Sequence, residues 1–338
     1  MKVLVTGGAG YVGSHTVRWL ERRDFDVWVY DNLSLGHRQA VPAGRLIEGD
    51  LADTARLEAA LFDHQIEAVV HFAGASLVGE SVQRPEIYYR NNVVGSLSLL
   101  EAMRAVGVTR IVFSSTTAVY GTPDSMPISE SFPLSPINPY GVSKRTVEQM
   151  LADFRTAYGF SFAALRYFNA AGASPDGDLG EDHSPESHLI PIVLQVALGQ
   201  REHIAIFGDD YPTPDGTCIR DYVHVDDLAS AHQAALEKLA QEDSPQQLRA
   251  NLGIGRGYSV KEVVESCRQV TGHEIPAVVG PRRAGDPPEL VADSSLARKA
   301  LNWKPAYTTL ESILETAWKW HSTHPNGFAT SPQAVKSS

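Results

Sequence analysis

Residues 1–13 read Met1-Lys2-Val3-Leu4-Val5-Thr6-Gly7-Gly8-Ala9-Gly10-Tyr11-Val12-Gly13. An apolar, β-branched run breaks at a glycine-rich turn, and a stretch of helical period (13–23) follows at once. Gly7, Gly10 and Gly13 stand three residues apart, in the pattern G-x-x-G-x-x-G. Without Cβ atoms, a strand-to-helix turn lets its backbone N–H groups approach an anion, and the helix dipole favours negative charge at that end. A plain glycine-rich turn is the competing reading. The position between a strand and a good helix favours a dinucleotide pyrophosphate instead.

Working outward, the same alternation recurs. Residues 27–30, 68–72, 111–114 and 161–165 read as short apolar strands, with helical candidates at 54–63, 95–106 and 143–158 between them. Continuous apolar runs suit strands buried on both faces, and alternating β and α predicts an α/β fold with a doubly wound parallel (Rossmann) sheet. After residue 172 the texture changes: residues 173–185 are rich in Gly, Pro, Ser and Asp. We therefore expect a first domain over 1–172 and a smaller C-terminal mixed α/β domain over 173–325, from which segments can return to the first. Helices are expected there at 190–198, 259–270 and 309–320, followed by a flexible tail over 326–338.

Composition bounds the function. The 338 residues carry 29 Lys plus Arg against 40 Asp plus Glu, a net charge of −11, and the pI is about 5.5. An acidic chain lacks the basic face that a phosphate backbone demands, so nucleic acid is not an expected partner. No apolar run reaches the roughly 18 residues of a membrane helix. The cysteines, Cys218 and Cys267, are too few for a disulfide framework and sit in no metal-ligand spacing. These features describe a cytoplasmic α/β protein.

Asp31 closes the second strand, 24 residues after Gly7. A carboxylate there accepts from adenosine ribose hydroxyls and repels a 2′-phosphate, which favours NAD over NADP. Arg38, seven residues on, is the one residue that argues for a phosphate. Asp50, in Glu48-Gly-Asp50-Leu51, faces the adenine or belongs to the start of the helix before Thr54. Farther on, Tyr140-Gly-Val-Ser-Lys144 sets a phenol and an ammonium one helical turn apart on one face. A nearby cation stabilises phenolate, so Tyr140 is expected to have a lowered pKa and act as a general base. Upstream, residues 113–121 end a buried strand in the hydroxyls Ser114, Ser115, Thr116 and Thr117. One of them is expected to reach the substrate oxygen, because strand carboxyl ends face the ligand crevice in such sheets. The residues themselves do not say which.

Longer strings extend these motifs: Gly7 to His15; Asp31-Asn32-Leu33; His71-Phe72-Ala73-Gly74 with Val78-Gly-Glu-Ser81; Leu165-Arg-Tyr-Phe-Asn169; Ala205 to Pro212; Gly216 to Asp226; and Arg282-Arg283-Ala-Gly-Asp286. Together they closely resemble the UDP-glucose (UDP-galactose) 4-epimerase family, among the extended short-chain dehydrogenase/reductases, over nearly the whole chain. The resemblance implies an NAD-dependent isomerase with Tyr140 as base, Lys144 as its partner and Thr116 as the catalytic hydroxyl. It assigns Tyr11, Val12, Asp31, Asn32, Asp50, Leu51, Phe72, Ala73, Gly74, Asn91 and Phe168 to the cofactor, with the glycines. Asn169, His188, Leu189, Arg220, Arg283 and Asp286 correspond to positions that hold the UDP-sugar, and Ala205 and Phe207 to the uracil pocket. Without the resemblance, surface ion pairing with Asp221 and Asp286 is the lesser, alternative reading of Arg220 and Arg283.

The implied reaction is transient oxidation at C4 of the sugar, rotation of the 4-keto intermediate and return of the hydride to its other face. Three departures stand out. Ser76 occupies a place where many members have Lys, His188 one where Asn is common, and Leu290 the position that gates N-acetylated sugars. A 4-epimerase of UDP-N-acetylglucosamine or a UDP-pentose is one alternative, and a non-catalytic NAD-sensing protein another. A 4,6-dehydratase would carry an Asp-Glu pair where Thr117 and Ala118 stand. His321 and His324 form H-x-x-H without supporting ligands, so no metal is expected. The resemblance also implies a homodimer through helices 95–106 and 143–158.

Overall fold

The computed structural model describes residues 1–241, 244–283 and 285–328. The chain opens with strands β1 (Lys2–Thr6), β2 (Asp26–Asp31), β3 (Leu46–Glu48), β4 (Ala68–His71), β5 (Arg110–Thr116) and β6 (Ser161–Tyr167). Short strands β7 (Asn169–Ala171), β8 (Ile204–Phe207) and β9 (Ile219–His224) follow, before β10 (Gln247–Leu252) returns to the first sheet. The strands β11 (Gly257–Ser259), β12 (Ala277–Gly280) and β13 (Glu289–Leu290) complete the set. The central sheet runs β3-β2-β1-β4-β5-β6-β10, and every neighbouring pair is parallel. This is the doubly wound architecture expected from the sequence. The order reverses between β1 and β4, and a crevice at the carboxyl ends of such a switch point is where ligands bind in open α/β sheets.

Helices α1 (Tyr11–Glu21), α2 (Thr54–Asp63), α3 (Val78–Gln83), α4 (Pro85–Tyr88), α5 (Gly95–Val106), α6 (Pro139–Tyr158), α7 (Leu189–Ala197), α8 (Val225–Ala240), α9 (Val260–Thr271), α10 (Ser295–Leu301) and α11 (Leu310–Thr323) clothe these sheets. Alternate residues of one strand serve opposite cores. Val3 and Val5 pack with Val17 and Leu20 of α1 and Leu228 and Leu236 of α8. Leu4 packs the other way, with Leu57 of α2, Leu99 and Met103 of α5, and Val147 and Leu151 of α6. Burial on both faces accounts for the unbroken apolar strand sequences.

Two differences from the sequence reading matter. Helix α6 starts at Pro139, four residues before the expected start, because the Asn138 side chain accepts from Gly141 N at 2.8 Å and proline suits a first helical position. Tyr140 therefore lies in the first turn of that helix. Helix α8 and strand β10 were not anticipated. They carry residues 225–252 back to the first sheet, where His15 meets Asp226 at 2.9 Å and Trp19 donates to Gln233 at 2.7 Å.

Helix α10 joins α8 and β10, with Ala297 and Leu301 in their core, and the other elements form a second unit with its own core of α7, α9 and α11 around Tyr222 and Tyr258. In it β9 pairs with β7, β11 and β13, while β8 pairs with β12. Among the described residues no helix is long and apolar enough to cross a membrane. The expected tail lies outside the described residues from 329 onward, and Phe328 packs against His37 and Trp320.

Candidate active site

The turn after β1 is shaped by what its glycines lack. Gly7 has φ +72°, and a Cβ there would lie 2.5 Å from Ala73 N. A Cβ on Gly13 would lie 2.2 Å from Gly7 O, so the turn closes only on hydrogen. Gly10 differs: the nearest atom to its Cβ direction is Gly7 O at 3.4 Å, so this space is left open rather than packed. Gly10 is also the N-cap of α1, and no side chain caps that end. Uncapped N–H groups at a helix start beside empty room are the donor set that a pyrophosphate needs, so the turn fits a dinucleotide.

Around it, Asp31 is buried and accepts from Ala9 N at 3.0 Å and Leu33 N at 2.8 Å. Burial raises its pKa, and these two bonds oppose the rise. Asn32 donates to Asp50 at 2.7 Å, and Asp50 also accepts from Ala52 N, so both are held at the mouth of the crevice. The helix N-cap before Thr54 is Asp53, not Asp50. Leu51 is buried against Gly95, and Val12 packs on the core beneath α1. Phe72, Ala73 and Gly74 follow β4, whose neighbours are β1 and β5. The Tyr11 phenol donates to Gly172 O at 2.6 Å, bridging the turn to the start of the second unit. Arg38 pairs with Glu48, so its charge is engaged by a carboxylate.

The residues expected to be catalytic meet at the carboxyl end of β5. Thr116 is buried there and hydrogen-bonds the Tyr140 phenol from the first turn of α6. One turn on, buried Lys144 donates to Ser114 O at 3.1 Å and sits 4.9 Å over the Phe113 ring. Burial pushes the Lys144 ammonium down to about 8. It does the opposite to Tyr140, which is raised, with the Thr116 hydrogen bond as the opposing influence. This corrects the expectation of a depressed tyrosine: in the protein alone, burial outweighs any help from the lysine. The two serine hydroxyls are occupied elsewhere. Ser114 bonds Tyr167 OH at 2.6 Å, and Ser115 donates to Glu148 at 2.6 Å.

Across the crevice, charged side chains dominate. Arg220 on β9 pairs with Asp286, while Asp221 instead accepts from the backbone N–H of Ile254, Gly255 and Ala292. Its burial lifts the Asp221 carboxyl to about 6. Ala205 and Phe207 both lie on the exposed face of β8, as residues two apart on a strand must. The Arg283 guanidinium sits 4.6 Å over the Phe207 ring and makes no ion pair among the described residues. Asn169 opens β7 opposite Tyr222, and Phe168 and Leu290 pack with Tyr120 and Ile128. Leu290 is paired in register with Arg220. His188 precedes Leu189 at the start of α7 and is turned towards Glu181 and Glu186, at 2.8 and 3.0 Å.

Two supports were missed from sequence. Asn91 is exposed, whereas its neighbour Asn92 is buried in a π-helical turn, Tyr89–Val94. Asn92 accepts from Ala75 N at 2.8 Å and donates to Ser143 Oγ at 2.9 Å, tying the turn after β4 to α6. The π-turn is a known mark of functional positions, but side-chain chemistry alone does not distinguish adjacent asparagines. Beneath the β5 hydroxyls, Arg166 forms a buried ion pair with Glu148 and donates to Tyr120 OH at 2.8 Å. That pair fixes β6 to α6 under the tyrosine.

The profile of the NAD dependent epimerase/dehydratase family matches residues 3–253. A UDP-glucose 4-epimerase of Halalkalibacterium halodurans is 56% identical over 330 residues, covering 98% of this chain and 98% of the relative. Among solved structures, the UDP-glucose 4-epimerase of Brucella ovis in complex with NAD is 50% identical with a TM-score of 0.91, covering 94% of this chain and 97% of that one. The enzyme of Bifidobacterium longum in complex with NAD+ and UDP is 40% identical with a TM-score of 0.92, covering 97% of this chain and 100% of that one. Resemblance in sequence and in fold agree: the chain belongs to the NAD dependent epimerase/dehydratase family.

Proposed function

We propose that this chain is an NAD-dependent UDP-glucose 4-epimerase that interconverts UDP-galactose and UDP-glucose. One observation carries the reading: Thr116, Tyr140 and Lys144 converge at the end of β5, in the same parallel sheet whose first strand leads into the uncapped glycine turn. When bound, NAD supplies the acceptor that takes the C4 hydrogen with its electron pair and later returns it, and its positive charge favours phenolate. Tyr140 takes the proton from the sugar O4, and Thr116 bonds that oxygen and relays the proton. Lys144 holds the nicotinamide ribose and opposes protonation of the phenolate. Asp31 with Asn32, Asp50 and Leu51 encloses the adenosine end, while Tyr11, Val12, Phe72, Ala73, Gly74, Asn91 and Phe168 line the rest of the cofactor groove.

In this reading the second unit, drawn from residues 173–325 without the returning α8 and β10, serves the UDP-sugar. Phe207 and Ala205 receive uracil, and the planar forks of Arg220 and Arg283 grip the diphosphate, with Asn169, His188, Leu189 and Asp286 around the sugar. Gripping the diphosphate keeps the 4-keto sugar bound while it turns about that linkage. Thr117 and Ala118 cannot act as carboxylic acids, which opposes a dehydratase. Leu290, beside Arg220, is the residue on which tolerance of an N-acetyl group would turn. We further assign the chain to the cytoplasm as a homodimer through α5 and α6, flanked by exposed Tyr89, Val94, Leu97 and Tyr158.

Proton NMR of the purified protein with UDP-galactose, no cofactor added, tests the assignment. Appearance of UDP-glucose is the expected result. Inertness towards this sugar but turnover of UDP-N-acetylgalactosamine or UDP-arabinose would move the substrate. Inertness towards all three, with NAD supplied, would leave the binding-protein reading.

A further inference from the structure

One side-chain cluster has three members with no role in this chemistry, and its fourth, His188, reaches it only at the edge of the sugar site. Glu181, His183, Glu186 and His188 each offer a donor atom, and the four atoms lie within 4.8 Å of one another. His183 Nδ1 stands 3.2 Å from Glu181 and 3.6 Å from Glu186. His188 Nδ1 stands 2.8 and 3.0 Å from the same two carboxylates. We propose that these residues bind one divalent transition-metal ion, with zinc the best fit, as a structural site that pins residues 181–188 between the glycine turn and α7.

The donor set selects the metal class. Two imidazoles and two carboxylates suit zinc and its neighbours, whereas calcium and magnesium take oxygen donors. The spacing is close to that of a tetrahedral site. Tetrahedral zinc with bonds of about 2.0–2.2 Å sets its donors roughly 3.3–3.5 Å apart; here the nitrogen-to-oxygen separations run from 2.8 to 3.6 Å and all four donors lie within 4.8 Å, so small side-chain adjustments would complete the sphere. Each histidine stands near both carboxylates, His183 Nδ1 towards Oε2 of Glu186 and His188 Nδ1 towards its Oε1, with Glu181 Oε1 shared, so the groups form one cluster rather than two separate pairs.

His183 sharpens the case. Its Nδ1 is buried 3.2 Å from one carboxylate and 3.6 Å from the other, without a well-aligned hydrogen bond to either. A simple imidazolium–carboxylate pair would aim that proton along a line to one oxygen. Glu181 is almost fully enclosed, so its charge requires compensation from within the cluster.

The surroundings explain what such an ion would do. The Tyr11 ring meets His183 edge-on at 6.2 Å, and Trp320 of α11 donates to Glu181 O at 3.2 Å. His321, also on α11, feels the charges of Glu181, Asp182 and Glu186. An ion here would therefore lock the connection from β7 to α7 against both the glycine-turn helix and α11. Four protein donors close a tetrahedral sphere, which marks a structural rather than a catalytic zinc. Ligation through Nδ1 would leave Nε2 of His188 as a fixed N–H donor at the start of α7.

The full chain, untagged and purified from zinc-supplemented medium, tests this by elemental analysis. One zinc per chain is expected. After removal by chelator, titration with cobalt(II) should give visible bands of tetrahedral intensity that zinc bleaches. Glu181→Gln and His183→Asn should each abolish the bands, and His273→Asn, at an exposed histidine, should keep them. Chelation should lower Tm for the unaltered chain and leave it unchanged for His183→Asn. A folded wild-type chain that is metal-free and takes up neither ion overturns the proposal and leaves a lattice of imidazolium–carboxylate contacts. Full metal content in both ligand variants also overturns it. None of these readouts depends on epimerisation, so the two proposals fail separately.

Discussion

The two walls of the crevice are made of different material. On the β1–β4 side the groups that face a ligand belong to the backbone: the uncapped first turn of α1 and the turn kept open at Gly10, with buried Asp31 as the main charge. On the β8–β9 side they are long charged side chains already engaged, Arg220 with Asp286, Arg282 with Asp210, and Arg283 on the Phe207 ring. A backbone cradle is complete before any ligand arrives. A guanidinium held by a carboxylate has to exchange or share its partner when a diphosphate enters, so part of the binding energy goes into rearrangement. The first wall suits a cofactor that stays, and the second a substrate that must leave.

Tyr140 sits between the walls, and its loss should have the largest effect. Tyr140→Phe removes the proton acceptor while keeping the ring that packs near Tyr88. We expect kcat to fall by roughly 10²–10⁴-fold, with the NAD content of the purified protein unchanged. Loss of NAD along with activity would mean that the tyrosine belongs to the backbone wall, and the contrast would break.

Two glycines probe that wall directly. Gly13→Ala drives a methyl against Gly7 O, and overpacking of this kind costs about 1–3 kcal/mol. Both Tm and the NAD-to-protein ratio should drop. Gly10→Ala meets open space, so its Tm should hold while NAD retention falls. If the two variants behave alike, the space at Gly10 is not ligand space.

The unequal legibility of the two walls has the same origin. A turn that closes only on hydrogen forces glycine at fixed spacing, so Gly7, Gly10 and Gly13 could be read without a structure. The parallel strands were equally plain, since burial on both faces leaves unbroken apolar runs. Strand β10 and helix α8 were missed because their pairing with β6 and α1 joins residues about 80 and 210 apart. The choice of Thr116 among four hydroxyls depended on its bond to Tyr140 and on which neighbours used up the serines, Tyr167 for Ser114 and Glu148 for Ser115. The pKa of Tyr140 depended on burial, which one-turn spacing to Lys144 does not reveal. Arg220 and Arg283 were readable as charges but not as partners: one is paired with Asp286, the other lies over an aromatic ring.

That last distinction can be measured. Arg283 has no carboxylate to release, so its contribution to substrate binding should be the less discounted. Arg283→Ala removes charge-assisted bonds worth about 1.5–3 kcal/mol, or roughly 10–100-fold in KM for the UDP-sugar, with kcat changed much less. Arg220→Ala should raise KM by a smaller factor and also leave Asp286 unpaired. The reverse order would show that engagement in the free protein does not predict the cost of exchange.

The smallest effect is expected where a side-chain charge intrudes on the backbone wall. Arg38 lies seven residues beyond Asp31, close enough in sequence to suggest a 2′-phosphate contact, but its guanidinium is paired with Glu48. Both side chains are more than half exposed, and exposed pairs contribute at most about 1 kcal/mol. Glu48→Gln frees Arg38 without touching Asp31, whose carboxylate still repels a 2′-phosphate. The ratio of NADP to NAD released from the denatured variant should therefore rise by no more than about fivefold. Asp31→Asn alone should shift it further, since it removes the repelling charge itself. If Glu48→Gln shifts the ratio more than Asp31→Asn, cofactor choice rests on an exchangeable side-chain pair, and this wall is less rigidly built than its glycines imply.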